Sequence, residues 1–257
     1  MDLGLHGCRA LVAGGSRGLG YACAEALISE GVSVFVTSRD SARLQSAAKA
    51  LGAAGWVAGD VARAEDVKRI VEVATESLSG LEILVTNAGG PPTGPFEHMS
   101  DEDWRVGYDL TVMSAVRLIR ESLPHLAASG RGRVINLTGY GVKEPIRDLV
   151  VSDSSRAAVT VMAKTIASDV ARQGITVNNL APGPILTDRL REIHEARAAE
   201  AGISLSEQLA SFAKGIPVGR IGEPSEVGKL CAFLCSRHAA YVTGQTIVID
   251  GGINRGI

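Results

Sequence analysis

The sequence predicts an α/β fold, in which a doubly wound parallel β-sheet of about seven strands is flanked by helices on both faces. Three observations lead to it. Short β-rich runs alternate with longer helical patterns, several of the runs are apolar throughout, and 30 of the 257 residues are Gly. Continuous apolar runs are typical of parallel strands that are buried on both faces, and regular β–α alternation predicts the winding.

Seven runs have the length and composition of buried strands, at 9–14, 32–37, 55–59, 81–87, 132–138, 175–181 and 245–250. Amphipathic patterns between them predict helices, for example over 18–31 and over 67–80, which ends at a Gly. No linker, repeat or low-complexity tract interrupts this rhythm, so we expect a single domain over 1–257.

One stretch departs from the alternation. Residues 188–215 are polar with a helical pattern, and they follow the sixth predicted strand. The carboxyl edge of a parallel sheet opens to ligands at such a position. We expect either a lid or substrate-binding segment, or an ordinary helical hairpin on the surface.

Composition excludes several classes of protein. The net charge of −2 gives no reason to expect nucleic acid or an anionic membrane as a partner. No apolar run is long enough to span a bilayer, and the start of the chain lacks the pattern of a signal peptide, so we expect a cytoplasmic protein. The five His residues are scattered, and Cys231 and Cys235 lack nearby partners, so we expect buried thiols and no metal site.

A glycine-rich turn is the most informative early feature. The stretch "LVAGGSRGLGYACAEAL" carries a predicted strand into a predicted helix. Gly residues let backbone N–H groups approach a phosphate, and the helix N-terminus adds partial positive charge. The spacing is not the G-x-G-x-x-G pattern, and a plain βα connection is the alternative. The favoured hypothesis is a dinucleotide site that uses Gly14, Ser16, Arg17, Gly18, Leu19 and Gly20.

The end of the second predicted strand bears on the choice of dinucleotide. An acidic residue there binds the ribose 2′-hydroxyl of NAD, whereas a basic residue favours the 2′-phosphate of NADP. The strand ends in "VFVTSRD", so Arg39 precedes Asp40, and Arg39 with Arg17 can clamp a phosphate. We expect a preference for NADP(H), with NAD(H) possible; otherwise Arg39 simply begins a solvated helix.

Further motifs, together with the glycine-rich turn, resemble the short-chain dehydrogenase/reductases, in particular the 3-oxoacyl-[acyl-carrier-protein] reductase type. They are "GDV" (59–61), "TNAGG" (86–90), "APGPILTD" (181–188) and "YVTGQTIVIDGG" (241–252). The resemblance covers almost the whole chain and implies a Rossmann-type fold. It also implies further cofactor contacts at Asp60, Val61, Asn87, Ala88, Gly89, Pro182, Gly183, Ile185 and Thr187.

The same resemblance implies a catalytic Asn, Ser, Tyr and Lys, and the register places other residues at all four positions. They are Thr111, Gly139, Ser152 and Arg156. Arg156 keeps a positive charge that can hold the nicotinamide ribose, but the hydroxyl of Ser152 is a poor acid at neutral pH. The chain thus resembles a divergent subgroup that lacks the standard set and carries Arg at the Lys position.

Replacement groups lie close by in the sequence. Tyr140 and Lys143 follow the fifth predicted strand and offer an acid of the right type beside a cation that would lower its pKa. Glu144, Asp148 and Asp153 are further acid/base candidates. Solvated loop residues are the alternative for all of them.

These features predict an NADP(H)-dependent oxidoreductase with a non-standard active site. The expected activity is that of a carbonyl reductase or alcohol dehydrogenase acting on a small molecule, with Ser152, Arg156, Tyr140 and Lys143 as the catalytic candidates. The alternative is a catalytically silent dinucleotide-binding protein, acting as a sensor or as a structural subunit. The resemblance implies a homo-oligomer, a dimer or tetramer, built through helices near 101–128 and 153–172 and through the last strand.

Overall fold

A seven-stranded parallel sheet forms the centre of the computed structural model, which describes residues 1–256. Its strands lie in the order β3-β2-β1-β4-β5-β6-β7. Their bounds are β1 Arg9–Ala13, β2 Ser33–Ser38, β3 Gly55–Ala58, β4 Ile83–Thr86, β5 Arg133–Leu137, β6 Thr176–Pro182 and β7 Thr246–Ile249. All seven predicted strands are confirmed, most of them somewhat shorter at their ends.

Helices connect the strands. They are α1 Gly18–Ser29, α2 Ser41–Leu51, α3 Ala64–Leu78, α4 Asp101–Tyr108, α5 Ser114–Ser129, α6 Val150–Val170, α7 Asp188–Ala201, α8 Leu205–Ala213 and α9 Pro224–Cys235. A π-helical turn, Asp109–Met113, joins α4 to α5. The helix predicted over 67–80 ends earlier than expected, because Ser79 rather than Gly80 adopts the left-handed conformation (φ 57°) that closes α3.

Apolar side chains cover both faces of the sheet. On one face α1 and α9 pack over Val12, Val34 and Ile135. On the other face α3, α5 and α6 pack over residues such as Leu84 and Val134. The prediction of helices on both faces is therefore confirmed.

Cys8, Cys23, Cys231 and Cys235 are all buried free thiols, as expected for Cys231 and Cys235. Neighbouring thiols and burial hold the pKa of Cys231 and Cys235 well above the usual range, so both stay protonated.

Within residues 1–256 no cluster of His, Cys, Asp and Glu is arranged to hold a metal ion. No helix there has the length and hydrophobicity needed to cross a bilayer.

The strand order places a crevice between β1 and β4. The chain winds outward from β1 in one direction and from β4 in the other, so the connections after these two strands diverge at the carboxyl edge. Ligands of open α/β sheets bind at this switch point. The glycine-rich turn follows β1 and the "NAGG" segment follows β4, so both motifs lie at the same crevice.

Candidate functional site

Steric constraints shape the glycine-rich turn between β1 and α1. Gly14 and Gly18 have φ values of +62° and +60°, which residues with a side chain rarely adopt. A Cβ on Gly20 would lie 2.3 Å from the carbonyl oxygen of Gly14. The side-chain amide of Asn87 donates to the same oxygen at 3.4 Å, which ties the end of β4 to the turn. The predicted close packing at Gly20 is confirmed.

Arg39 reaches across the crevice from the end of β2. Its Nη2 lies 3.4 Å from the point where a Cβ of Gly89 would be. Asp40 points elsewhere, because its carboxylate caps α2 by accepting the N–H of Arg43 at 3.0 Å. The buried hydroxyl of Ser38 finds no hydrogen-bond partner within residues 1–256. This end of the crevice therefore presents a guanidinium and an unsatisfied hydroxyl but no free carboxylate from β2.

Asp60 and Val61 form the neighbouring wall after β3. Asp60 Oδ1 accepts the N–H of Ala62 at 3.0 Å, and its own N–H donates to Asp66 at 3.0 Å. Val61 is buried. These bonds fix the conformation of the "GDV" turn, while the second carboxylate oxygen of Asp60 carries no bond within the part of the chain that the structure describes.

The segment after β6 closes the crevice from the other side. A Cβ on Gly183 would lie 2.4 Å from Cβ of Asp250, so the chain passes tightly after Pro182. Ile185 is buried. Thr187 caps α7, its hydroxyl accepting the N–H of Leu190 at 3.3 Å, and its methyl group lies 3.7 Å from the Cβ position of Gly18.

Arg17 is already engaged. It stands at the N-cap of α1, and its Nη1 lies 3.6 Å from Glu192 Oε1 on α7. Both side chains are half-exposed or more. Solvent screening makes such a pair weak, so a phosphate can compete for Arg17.

The crevice continues into a cleft between β4, β5 and α6. Its lining includes Asn87, Gly89, Thr111, Thr138 and Arg156. Thr111 lies in the π-helical turn, and its buried hydroxyl has no hydrogen-bond partner among residues 1–256. Single π-helical turns are frequent at functional sites because they redirect a side chain. The hydroxyl of Thr111 is therefore available to a molecule in the cleft.

Arg156 and Ser152 form one unit on α6. Arg156 Nε donates to Ser152 Oγ at 3.1 Å, and Nη1 donates to the carbonyl oxygens of Thr138 and Leu137. Burial lowers the pKa of Arg156, an effect that nearby Asp153 opposes, yet a guanidinium stays charged in proteins. Since Ser152 Oγ accepts a bond from a cation, its own hydrogen remains to be donated.

Tyr140 and Lys143 do not behave as the expected pair. Burial raises the pKa of Tyr140, with further increases from Asp153, Glu144 and Asp250. Lys143 is exposed and lines a separate groove with Lys164 and Gly244. The premise that Lys143 lowers the pKa of Tyr140 is therefore wrong, because acidic groups and burial dominate around the phenol.

The remaining acid/base candidates lie in the loop before α6 and in the first turn of that helix. Glu144 accepts the N–H of Arg255 at 2.7 Å, and Asp148 has a left-handed φ of 65°. Asp153 accepts the N–H of Ile146 at 2.8 Å and packs against Gly141, and burial raises its pKa. The bonds of Glu144 and Asp153 fix the loop.

Two site residues escaped the sequence reasoning. The guanidinium of Arg189 lies over Gly90, with Cζ 2.9 Å from the Cβ position, and Glu192 pairs with Arg17 as described above. Both lie in the segment 188–215, which the sequence singled out. Only the packing of α7 shows that these two side chains face the crevice.

A family model and curated relatives match the chain over nearly its full length. The model described as Enoyl-(Acyl carrier protein) reductase matches residues 13–254. The 3-oxoacyl-[acyl-carrier-protein] reductase FabG of Vibrio cholerae is 31% identical over 98% of this chain and 99% of its own length.

Solved structures of reductases also match the chain over nearly its full length. L-Sorbose reductase from Gluconobacter frateurii, complexed with NADPH and L-sorbose, matches with a TM-score of 0.96 and 33% identity over 100% of both chains. An NADPH-bound short chain oxidoreductase from Pseudomonas aeruginosa PAO1, described as containing an atypical catalytic center, matches with a TM-score of 0.89 and 31% identity, over 97% of this chain and 98% of that one. The chain belongs to the short-chain dehydrogenase/reductase family.

Proposed function

We propose that the protein is an NADP(H)-dependent oxidoreductase that interconverts a small-molecule carbonyl and its alcohol. One observation carries the proposal: Gly14, Gly20 and Asn87 pack so closely that a Cβ on either glycine would collide with this group, so the turn exposes backbone rather than side chains, and the guanidinium of Arg39 lies beside Gly89. The NADPH complexes of the sorbose reductase and of the Pseudomonas oxidoreductase support the same assignment.

The residues present fit a bound NADP(H). Backbone N–H groups from Gly14 to Gly20 would hold the pyrophosphate, in a turn whose conformation a Cβ on Gly20 would disrupt by meeting the carbonyl oxygen of Gly14. Arg39, Arg17 and the unsatisfied hydroxyl of Ser38 would hold the 2′-phosphate. When bound, the cofactor supplies or accepts the hydride, and a proton completes the conversion of C=O to CH–OH.

The remaining contacts follow the family register. Asp60 and Val61 would border the adenine, and Asn87, Ala88 and Gly89 the adjacent ribose. Arg156 would hold the nicotinamide ribose. Contacts near the nicotinamide would come from Pro182, Gly183, Ile185 and Thr187.

The active site would be non-standard. Thr111 and Ser152 offer hydroxyl groups, and Arg156 places a positive charge beside them. A cation near a developing oxyanion stabilises the transition state without acting as an acid. We therefore favour Ser152 and Arg156 over Tyr140 and Lys143 as the groups that act on the substrate oxygen.

The proposal also assigns roles to the helical hairpin at 188–215 and to the exposed apolar residues of α4 and α6. The segment 188–215 would act as a lid, since Glu192 and Arg189 already contact the two sides of the crevice. Val106, Tyr108 and Val161 are exposed apolar residues on α4 and α6. Such residues are typical of an interface, which supports a homo-oligomer through these helices.

Cofactor preference tests the proposal. In fluorescence titrations Arg39→Asp should weaken NADPH binding at least about tenfold, because it replaces a charge-assisted contact with repulsion, and should change NADH binding little. Lys49→Asp makes the same charge change in the last turn of α2 and should leave both affinities unchanged. Equal losses for both dinucleotides in Arg39→Asp would remove the NADP(H) assignment.

The absence of a standard proton donor favours a second candidate, a silent dinucleotide-binding protein. Gly139 offers no side chain and Ser152 is a weak acid. NADPH binding without turnover of a broad panel of ketones and alcohols would support this candidate. Turnover that is lost in Arg156→Met would exclude it.

A further inference from the structure

Two guanidinium groups lie at or beside the cleft: burial lowers the pKa of Arg156, and the charge of Arg189 is close enough to lower it further. Arg156 lines the cleft from α6. Arg189, in the first turn of α7, lies over Gly90, with its guanidinium atoms 2.9–3.1 Å from the Cβ position of that glycine. Gly90 directly follows Gly89, which lines the same cleft as Arg156.

Neither guanidinium has an acidic partner. Within residues 1–256 no carboxylate lies within 4.0 Å of Arg156 or of Arg189. Asp153 is the nearby acid, but its carboxylate accepts the N–H of Ile146 at 2.8 Å and packs against Gly141. The neighbouring Glu192 is directed to Arg17.

Hydrogen-bond donors are also left over on both side chains. Arg156 uses Nε on Ser152 and Nη1 on backbone carbonyls, so Nη2 makes no bond within residues 1–256. Arg189 makes no hydrogen bond there with any of its nitrogens. The two positively charged guanidinium groups repel each other, and an anion bound between them would replace this repulsion with attraction. The paired N–H groups at the edge of a guanidinium match the two oxygens of a carboxylate.

We propose that the substrate carries a carboxylate and that Arg189 selects it, with the positive charge of Arg156 adding to the attraction. This inference rests on the proposed oxidoreductase function and narrows it to oxo- and hydroxy-carboxylic acids. Arg189 is then a specificity-determining residue, and the start of the α7–α8 hairpin takes part in substrate recognition.

Binding to the NADPH-loaded protein tests the inference without requiring turnover. The probes are pyruvate and acetoacetate, each compared by calorimetry with its uncharged methyl ester. At least one acid should bind roughly tenfold or more tightly than its ester, because the ester cannot form the charged contact. Arg189→Gln should remove that advantage and leave the Kd for NADPH unchanged.

Arg191→Gln is the matched control, since Arg191 is an exposed arginine on the same helix, and it should retain the preference for the acid. Esters that bind as well as their acids would overturn the inference and leave the cofactor assignment standing. Loss of NADPH affinity in Arg189→Gln would also overturn it, because Arg189 would then bind the cofactor. A wild-type protein that binds no NADPH would overturn the proposed function itself, and the inference with it.

Discussion

The two ends of the crevice differ in what determines their shape. At the proposed phosphate end, formed by the glycine-rich turn, backbone atoms meet backbone atoms, and a single methyl group at Gly20 would lie 2.3 Å from a carbonyl oxygen. At the proposed substrate end, beside Arg156 on α6, a methyl group at Gly139 would meet its nearest neighbour, Cδ of Arg156, at 3.7 Å, an ordinary contact. Main-chain atoms therefore exclude a side chain at Gly20, whereas a side chain at Gly139 has room.

Glycine substitutions should show the largest contrast. Gly20→Ala should lower the free energy of unfolding by about 3 kcal/mol and abolish NADPH binding, because main-chain atoms must move apart. Gly139→Ala should change stability by about 0.5 kcal/mol or less. Urea denaturation and NADPH titration of both variants measure the difference. Similar losses in the two variants would show that the ends are equally constrained.

Substitution of Arg156 should have the next largest effect on stability and on NADPH binding. Arg156→Met leaves Ser152 and two carbonyl oxygens without a donor, so the free energy of unfolding should fall by about 1–2 kcal/mol. NADPH binding should weaken about tenfold if Arg156 holds the ribose. Arg156→Lys should recover part of both losses, and a Met variant with unchanged affinity would remove Arg156 from the cofactor site.

His194 should make the stability of the α7–α8 hairpin depend on pH. It is 1% exposed between α7 and α8, its ring 4.4 Å from that of Phe212. Burial, and to a lesser extent Arg197, lowers its pKa from the usual 6.5, so the folded hairpin prefers neutral His194. That contribution to stability is complete above pH 6.5 and is lost as the pH falls through the lowered value.

Hydrogen exchange at pH 7.5 and 5.5, corrected for intrinsic rates, should therefore show faster opening of α7 and α8 at the lower pH. His194→Gln should remove the difference. Equal protection of the wild type at both pH values would contradict the prediction.

Substitution of Tyr140 should have the smallest effect on catalysis. Because its raised pKa makes it a weaker acid, Tyr140→Phe should leave kcat/KM within about threefold for any ketone that the wild type reduces. A loss of about 10²-fold or more would restore Tyr140 as the proton donor.

The phosphate end was predictable from the sequence because its requirements are local. Gly14, Gly18 and Gly20 follow an apolar run, and seven such runs specify both the sheet and its carboxyl edge. The position of Asn87 was predictable in the same way, because it directly follows a buried strand, although only the structure shows its bond to Gly14.

The substrate end was less predictable, because its chemistry depends on side-chain direction. The spacing of Tyr140 and Lys143 suggested a pair, but Lys143 lies in a different groove and acids surround Tyr140. The position of Arg189 could not be predicted from the sequence, because it depends on how α7 packs against the loop after β4, and no local pattern encodes that packing. Ser152 and Arg156 were identified by register, and the structure adds their hydrogen bond.

A crystal structure of the wild-type protein grown with NADPH tests the cofactor assignment most directly. The expected result is a pyrophosphate against the N–H groups of Gly14 to Gly20, with the 2′-phosphate beside Arg39 and Arg17 separated from Glu192. A crevice without NADPH, or one closed by side chains at saturating NADPH, would contradict it.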